Sequence, residues 1–311
     1  MVETIFLTGG TGLLGRKLLP ALIEKGYRLK VLVRPSSDLA GLEGSGWGLE
    51  LELVLGDVRW AESFSQALEG IKMVIHLAGI VSGRREELLE TNWRGTAHLV
   101  RAALAAGVER IIHLSSLGAG PEPRFPYAYS VWLAEEEVRR SGLHYIIFRP
   151  SILVGGDPFT GALIRMARNW PVLVLPESRV RFQPLWVEDM VRCILLALGS
   201  GSGPGSETKN ERLWGRTIPL GGPEALTLDE IAWIILTELG LKRPILHLPR
   251  RPLRALVRAL RRLGLESPYV EGHFIGRDNL AGPGAVEAAF GFVPRPLREV
   301  FRLELQRKAE F

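Results

Sequence analysis

The chain has 311 residues, of which 46% are hydrophobic and 23% are charged, and its formal net charge is +5. This composition is that of an ordinary soluble globular protein, and 311 residues are enough for one large core or two unequal lobes. Cys193 is the only cysteine, which excludes an intrachain disulfide and a metal site made of a thiolate cluster. Basic residues are spread among acidic ones, so we expect no nucleic-acid partner.

No signal-peptide pattern is recognised, because the apolar run Ile5–Leu7 lacks a basic flank and leads into glycines. We find no apolar stretch of the length that spans a bilayer. We therefore expect a cytoplasmic protein.

The first half of the chain alternates apolar strand patterns with helical patterns. Such alternation implies right-handed crossovers and a parallel sheet covered on both faces. The predicted strands are Thr4–Thr8, Arg28–Val33, Leu51–Leu55, Met73–Leu77, Arg110–Leu114 and Tyr145–Phe148, and the clearest helices are Gly12–Glu24, Arg94–Ala106 and Ala128–Arg140. The predicted fold class is α/β, a Rossmann-type doubly wound parallel sheet with a smaller C-terminal lobe.

This alternation ends after Pro150, which sets the predicted domain boundaries. We expect a Rossmann domain over residues 1–150, to which a segment at about 184–200 returns. Residues 151–183 and 201–311 are predicted to form the smaller substrate or partner lobe. Within it, Thr227 and Glu230 have the spacing of a capping box at a helix start.

A glycine-rich loop, TGGTGLLG at 8–15, follows the first predicted strand and precedes a helix. Gly9 permits a tight turn, Gly12 lets the backbone approach a pyrophosphate, and Gly15 lets the helix pack closely on the strand. The helix N-terminus offers free N–H groups and a partial positive charge to the phosphates. The sequence therefore predicts a dinucleotide site, since this is the context in which the glycine spacing is informative.

The end of the second strand bears on which dinucleotide binds. An acidic residue there accepts the ribose hydroxyls of NAD, but this strand is followed by Arg34, Pro35 and two serines. The guanidinium of Arg34 suits a 2′-phosphate, and Arg16 is a candidate second partner. We therefore predict NADP(H) as the cofactor in preference to NAD(H), while a merely solvated Arg34 stays the alternative.

Further motifs follow in an order and spacing that resemble a known family. They are GD (56–57), HLAG (76–79), NxxGT (92–96), HLSS (113–116), YAYS (127–130), RPS (149–151) and WVEDM (186–190). With the glycine loop, they make the chain similar to the extended or atypical short-chain dehydrogenases/reductases, which include epimerase/dehydratase-like proteins. The C-terminal pattern resembles the atypical subgroup that contains the NADPH-binding accessory subunit of respiratory complex I.

The resemblance implies a set of cofactor-binding residues. Asp57 and Val58 would lie beside the adenine, and Pro150 and Ser151 near the nicotinamide. It also places Leu77, Ala78 and Gly79 along the adenosine ribose and the phosphates. With the residues argued above from the glycine loop and the second strand, the predicted set is completed by Thr8, Gly9, Gly12, Leu13, Leu14, Gly15 and Arg34.

The catalytic motif of active family members is incomplete in this chain. Those members carry Tyr-x-x-x-Lys, in which the lysine lowers the tyrosine pKa. Tyr127 aligns with the tyrosine, but the lysine position holds Val131, and starting from Tyr129 gives Leu133. A phenol with a pKa of about 10 is a poor base near neutrality, although it can still donate a hydrogen bond to a carbonyl. Ser115 and Ser116 end the fifth predicted strand, and Ser116 is the candidate catalytic serine. Strand-end capping is the alternative role of both hydroxyls, and the family's serine position can instead align with Leu117.

The six histidines show no metal-ligand spacing, and we expect His76 and His113 to be core residues with satisfied hydrogen bonds. Residues 250–263 are arginine-rich and have the pattern of a basic amphipathic helix. An ordinary surface helix is the favoured interpretation, and peripheral contact with an anionic membrane is the alternative.

Two functions follow from these observations. The first is an NADP(H)-binding protein with a degenerate site, cofactor-binding or weakly catalytic, whose smaller lobe binds an unidentified small molecule or protein partner. The alternative is an active NADP(H)-dependent oxidoreductase or nucleotide-sugar epimerase/dehydratase-type enzyme.

Overall fold

A computed structural model of the chain describes residues 2–39, 48–199, 211–249, 252 and 277–307. Apart from Pro252, the basic segment 250–263 lies outside these residues, so its helix and its membrane contact stay predictions. Within the described ranges, no helix combines the length and the hydropathy needed to cross a bilayer.

A seven-stranded sheet organises the first half of the chain. Its strands are β1 (Thr4–Thr8), β2 (Arg28–Val33), β3 (Leu51–Leu55), β4 (Met73–His76), β5 (Arg110–Leu114), β6 (His144–Pro150) and β11 (Arg216–Leu220). They lie in the order β11-β6-β5-β4-β1-β2-β3, and every pair from β3 to β6 is parallel. The order β3-β2-β1-β4-β5-β6 is that of a doubly wound dinucleotide-binding sheet. The predicted fold class is therefore confirmed.

Helices cover both faces of this sheet. They are α1 (Leu13–Glu24), α2 (Arg85–Leu88), α3 (Gly95–Ala105) and α4 (Pro126–Arg140), with a π-helical turn at Leu89–Arg94 between α2 and α3. Phe6 packs in one core cluster with Leu99 of α3 and Val138 of α4. Because side chains alternate along a strand, Leu7 faces the opposite side, where Leu19 of α1 lies.

The remaining elements are shorter. The strands are β7 (Leu153–Val154), β8 (Leu173–Pro176), β9 (Arg181–Phe182), β10 (Leu185–Trp186), β12 (Leu226–Thr227) and β13 (Ile245–Leu248), which form the pairs β10-β7, β12-β9 and β13-β8. The helices are α5 (Pro158–Asn169), α6 (Val187–Leu198), α7 (Leu228–Glu238), α8 (Ala285–Phe290) and α9 (Leu297–Arg307). The predicted capping box at Thr227 and Glu230 is present at the start of α7.

The chain divides into two compact units. The first comprises Met1–Arg149 and Met190–Pro219, and the second comprises Pro150–Asp189 and Leu220–Phe311. The first unit contains the glycine loop and most of the seven-stranded sheet.

Candidate functional site

The glycine loop connects β1 to α1 and brings backbone atoms very close together. Gly9 has φ of +77°, and a Cβ built there would lie 2.7 Å from the backbone N of Ala78. A Cβ on Gly15 would overlap the carbonyl oxygen of Gly9. Side chains are therefore excluded at both positions, which is what the spacing of the loop predicts.

The N-terminus of α1 is open to a ligand. Gly12 is the N-cap residue and is exposed, and within the described part of the chain no side-chain hydrogen bond caps the helix. The first turn also contains no acidic residue. An uncapped helix start leaves N–H donors and a partial positive charge unsatisfied, and both suit an anion.

A pocket lies at the carboxyl ends of β1 to β4, all within the first unit. Its lining includes these predicted cofactor-binding residues: Thr8, Gly9, Gly12, Arg34, Asp57, Val58, Leu77, Ala78 and Gly79. Leu13, Leu14 and Gly15 follow in the first turn of α1. The carboxyl edge is where open α/β sheets bind ligands, and a backbone cradle that admits no Cβ fits a pyrophosphate.

The pocket wall beside β2 and β3 carries charged side chains. The guanidinium of Arg59 donates to the carboxylate of Asp57 through Nε (3.1 Å) and Nη2 (2.8 Å). Burial raises the pKa of Asp57, but hydrogen bonds from Arg59 and the charges of Arg59 and Arg34 outweigh it, so the pKa lies below 3.8. Arg59 lines the pocket and was not identified from the sequence.

Arg16, the candidate second partner of a 2′-phosphate, is bonded to the glycine loop and to the loop after β2. Its guanidinium donates to the carbonyl oxygen of Thr11 (3.0 Å) and to the carbonyl (2.7 Å) and carboxylate (3.1 Å) oxygens of Asp38. These bonds hold Arg16 against the loop after β2. Among the described residues that line the pocket, the arginines are Arg34 and Arg59.

A buried chain of hydrogen bonds runs behind the pocket. Thr8 Oγ1 is joined to His76 Nδ1 (2.6 Å), and His76 Nε2 to Thr96 Oγ1 (2.9 Å). Thr96 donates to the carbonyl oxygen of Asn92 (2.6 Å), and the Asn92 amide donates to Ser130 Oγ (2.9 Å). The glycine loop, the π-helical turn and α4 are thus connected through satisfied polar groups, which favours one arrangement of all three.

His76 is a satisfied core histidine, as expected, but the same prediction is wrong for His113. Both ring nitrogens of His113 are buried and have no hydrogen-bond partner among the residues that the structure describes, and the ring stacks on that of His76 at 5.1 Å between centroids. Burial lowers the pKa of His113 to about 3, so the ring is neutral and packs as an aromatic group. The residues next to His113 in the sequence do not indicate that its ring lacks hydrogen-bond partners.

The two candidate serines differ in their surroundings. Ser115 is buried and donates to Glu135, whose carboxylate also accepts from Arg149 Nε (2.7 Å) and Nη2 (2.6 Å). Ser116 is only partly buried and lies close enough to the Tyr127 phenol to affect its pKa by hydrogen bonding. The structure therefore brings together the two predicted catalytic residues, Ser116 and Tyr127.

No cation stands at the family's lysine position. Val131, one turn after Tyr127 on α4, is buried and apolar. Burial raises the pKa of Tyr127 above 10, and the hydrogen bond from Ser116 opposes that effect only in part. The phenol is therefore protonated at neutral pH.

Pro150 and Ser151 belong to the second unit. The hydroxyl of Ser151 donates to the carbonyl oxygen of Asn279 (3.1 Å) and accepts from the backbone N–H of Gln183 (3.1 Å). The roles of these two residues stay predictions.

Comparisons with known proteins agree with this geometry. The model of the NAD dependent epimerase/dehydratase family matches residues 5–209. A ceramide reductase from Caulobacter vibrioides is 34% identical over 60% of this chain and 57% of its own length. Subunit 9 of the NADH dehydrogenase 1 alpha subcomplex from Dictyostelium discoideum is 28% identical over 76% of this chain and 63% of its own.

Among solved structures, a UDP-glucose 4-epimerase from Thermotoga maritima superposes with a TM-score of 0.76 at 20% identity, covering 99% of this chain and 100% of that one. This likeness concerns the fold. The chain spans 53–66% of the length of three curated relatives that it matches. The nucleotide-binding family motifs, the strand order and the match over residues 5–209 together show that the chain belongs to the NAD dependent epimerase/dehydratase family, with atypical short-chain dehydrogenase/reductase-like proteins among its relatives.

Proposed function

We propose that this chain binds NADP(H) in its first unit and that the lost lysine makes it a cofactor-binding or weakly catalytic protein. The observation that carries this proposal is the pocket at the carboxyl edge of the sheet, which combines the glycine cradle with Arg34 where NAD-binding proteins have an acid. Thr8, Gly9 and Gly12 would hold the pyrophosphate, and Asp57 and Val58 would face the adenine.

Titration calorimetry of the purified protein with NADPH, NADP⁺, NADH and NAD⁺ tests the binding function. We expect heat with all four nucleotides and tighter binding of the phosphorylated pair. No heat with any of them would refute the dinucleotide site, whereas tighter binding of NADH would refute only the choice of cofactor.

The reduced cofactor, when bound, supplies a hydride. For this chain's part, the protonated Tyr127 donates a hydrogen bond to an acceptor oxygen, and Ser116 orients the phenol. Deprotonation of an alcohol by Tyr127 is disfavoured because Val131 occupies the position of the lysine that lowers the tyrosine pKa in active family members. Tyr127 can thus act as a hydrogen-bond donor but is a poor base. This supports a role in which the cofactor is structural or a redox signal and the second unit binds a protein or small molecule in the cytoplasm.

The alternative is an active NADP(H)-dependent oxidoreductase, which the proximity of Ser116 to Tyr127 and the similarity to a ceramide reductase favour. An epimerase is less favoured because it needs an efficient base. A panel of carbonyl compounds and sugar nucleotides, followed by NADPH absorbance, separates the two functions. Robust turnover by the unmodified protein would refute the weakly catalytic proposal.

A lysine introduced by Val131→Lys provides the sharper comparison, with Leu133→Lys as a control on the same helix. If the missing lysine limits the chemistry, only Val131→Lys raises turnover and lowers the pH at which the activity rises. Equal effects of the two variants would show that the added positive charge acts without regard to its position on the helix.

A further inference from the structure

We infer that Arg34 and Arg59 together bind the 2′-phosphate of the adenosine ribose, with Arg59 as a residue that sets cofactor specificity. This inference rests on the proposed function and assigns a role in it to a side chain from the end of β3. The pair of guanidiniums is called the arginine pair below.

The strand register places the arginine pair on one pocket wall. β2 and β3 are parallel neighbours in which Val33 pairs with Leu55, and the backbone N–H of Gly56 donates to the Val33 carbonyl (2.9 Å). Arg34 therefore leaves the sheet beside the segment that continues to Arg59. Adjacent strands are about 4.8 Å apart, so both long side chains reach the same space, and both line the pocket.

Arg59 is preorganised by Asp57. Its Nε and one N–H of Nη2 are directed at the carboxylate, and the backbone N–H of Arg59 also donates to it at 2.9 Å. An arginine has five N–H donors, so three remain on the outer edge of a side chain that is 45% exposed. A guanidinium held by a carboxylate at its inner edge loses little conformational entropy when it binds an anion.

Arg34 supplies the second positive charge, and its guanidinium N–H groups are available to bind an anion. It is exposed, and in the described ranges its guanidinium takes part in no hydrogen bond or ion pair. It lies near enough to Asp57 for its charge to lower the pKa of that carboxyl. The same carboxylate is thus flanked by both arginines.

Charge explains why the second arginine is needed. Asp57, with a side chain only 12% exposed, is close enough to Arg34 for the two charges to interact, and by itself it would offset the positive charge that Arg34 offers to a phosphate. Arg59 neutralises the Asp57 carboxylate, so the positive charge of Arg34 can attract the 2′-phosphate. Without Arg59, Asp57 and Arg34 would cancel and the preference for the phosphorylated ribose would fall.

The test measures binding of 2′,5′-ADP and 5′-ADP by calorimetry, which requires no turnover. For Arg59→Gln we expect at least a tenfold loss of affinity for 2′,5′-ADP and less than a threefold loss, or a gain, for 5′-ADP. Arg34→Gln should lower 2′,5′-ADP affinity to a similar extent. Arg101→Gln, on the exposed surface of α3, is the control and should change neither.

Two further variants keep the result interpretable if Arg59→Gln loosens the fold. Arg59→Lys keeps the charge without the planar fork and should give an intermediate loss. Asp57→Asn combined with Arg59→Gln removes the carboxylate that Arg59 no longer neutralises and should recover part of the 2′,5′-ADP affinity. Recovery would show an electrostatic cause that unfolding cannot produce.

The inference is overturned if Arg59→Gln weakens both nucleotides equally, since Arg59 would then contact the adenine or the diphosphate. It is also overturned if Arg59→Gln changes neither affinity. These outcomes leave the dinucleotide site intact. Failure of the unmodified protein to bind either nucleotide would instead refute the proposed function together with the inference.

Discussion

The substitution Gly12→Ala separates the binding function of the glycine loop from its structural role. Gly12 has φ of −79° and ψ of 176°, which alanine adopts readily, and the added Cβ would meet only the Gly9 carbonyl oxygen, at 3.3 Å. Replacing glycine by alanine at an N-cap lowers the free energy of unfolding by about 0.5–1 kcal/mol. Alanine also reduces the conformational entropy of the unfolded chain, which raises the free energy of unfolding by about 0.4–1 kcal/mol. We therefore expect the free energy of unfolding to change by less than about 1 kcal/mol.

Binding should change much more than stability. The methyl group stands where a pyrophosphate approaches the first N–H groups of α1, and each charge-assisted hydrogen bond lost there costs about 1.5–3 kcal/mol. NADPH affinity should therefore fall by about 10- to 100-fold, measured by calorimetry beside urea denaturation. Gly9→Ala, by contrast, should lower both quantities, because φ is +77° and the Cβ would lie 2.7 Å from backbone atoms.

Gly161→Ala in α5 is the matched control. Its new Cβ would meet nothing closer than Arg165 Nη1 at 3.6 Å, so it should stabilise the helix by up to about 1 kcal/mol and leave NADPH affinity unchanged. Unchanged NADPH affinity in Gly12→Ala would refute the reasoning, since the pyrophosphate would then not approach the backbone at this glycine.

Three further predictions concern stability. Glu135→Gln should lower the free energy of unfolding by about 2–4 kcal/mol in urea titrations, because the buried carboxylate holds Arg149; a change below 1 kcal/mol would contradict this. The burial that lowers the pKa of His113 to about 3 contributes stability that is complete above pH 6.5, its unfolded pKa, and is lost as the pH falls towards 3. His113→Phe should therefore flatten stability against pH in this window by up to about 1.4 kcal/mol per pH unit, and an unaltered slope would count against neutral burial. Thr227→Ala removes the hydroxyl that accepts from the Glu230 backbone N–H at 3.3 Å, and should lower thermal stability by about 1 kcal/mol; no shift in the melting temperature would show that the cap is dispensable.

The sequence predicted the elements of the sheet closely, because burial on both faces leaves a clear apolar signal. The strands Thr4–Thr8 and Arg28–Val33 begin and end where the apolar runs do. An apolar run is a property of consecutive residues, so it can be recognised without knowing which distant residues pack against it. The glycine loop and Arg34 followed from the ends of the first two strands, since parallel strands end at one edge. The pocket residues after β3 and β4 followed from the family resemblance: Asp57, Val58, Leu77, Ala78 and Gly79.

Features that depend on contacts across the chain were not predictable in this way. Arg16 is close to the glycine loop in sequence, yet Asp38 holds its side chain. The pairing of Arg59 with Asp57 joins residues only two positions apart, but it arises at an irregular turn, where no periodic pattern indicates it. Ser115 could be distinguished from Ser116 only through Glu135, which lies 20 residues further along.

The π-helical turn at Leu89–Arg94 gives this region room to change its length by one residue. With i→i+5 hydrogen bonds, a π turn holds one residue more than an α turn, so removing one residue lets the stretch close as ordinary α-helix while α2 and α3 keep nearly the same faces towards their neighbours. The residues inside the turn would move instead. Asn92, which is bonded to Ile80 and to Ser130, would then lose its position. Single-residue deletions in this stretch are therefore expected to preserve the packing of α3 and to disrupt the polar contacts of Asn92.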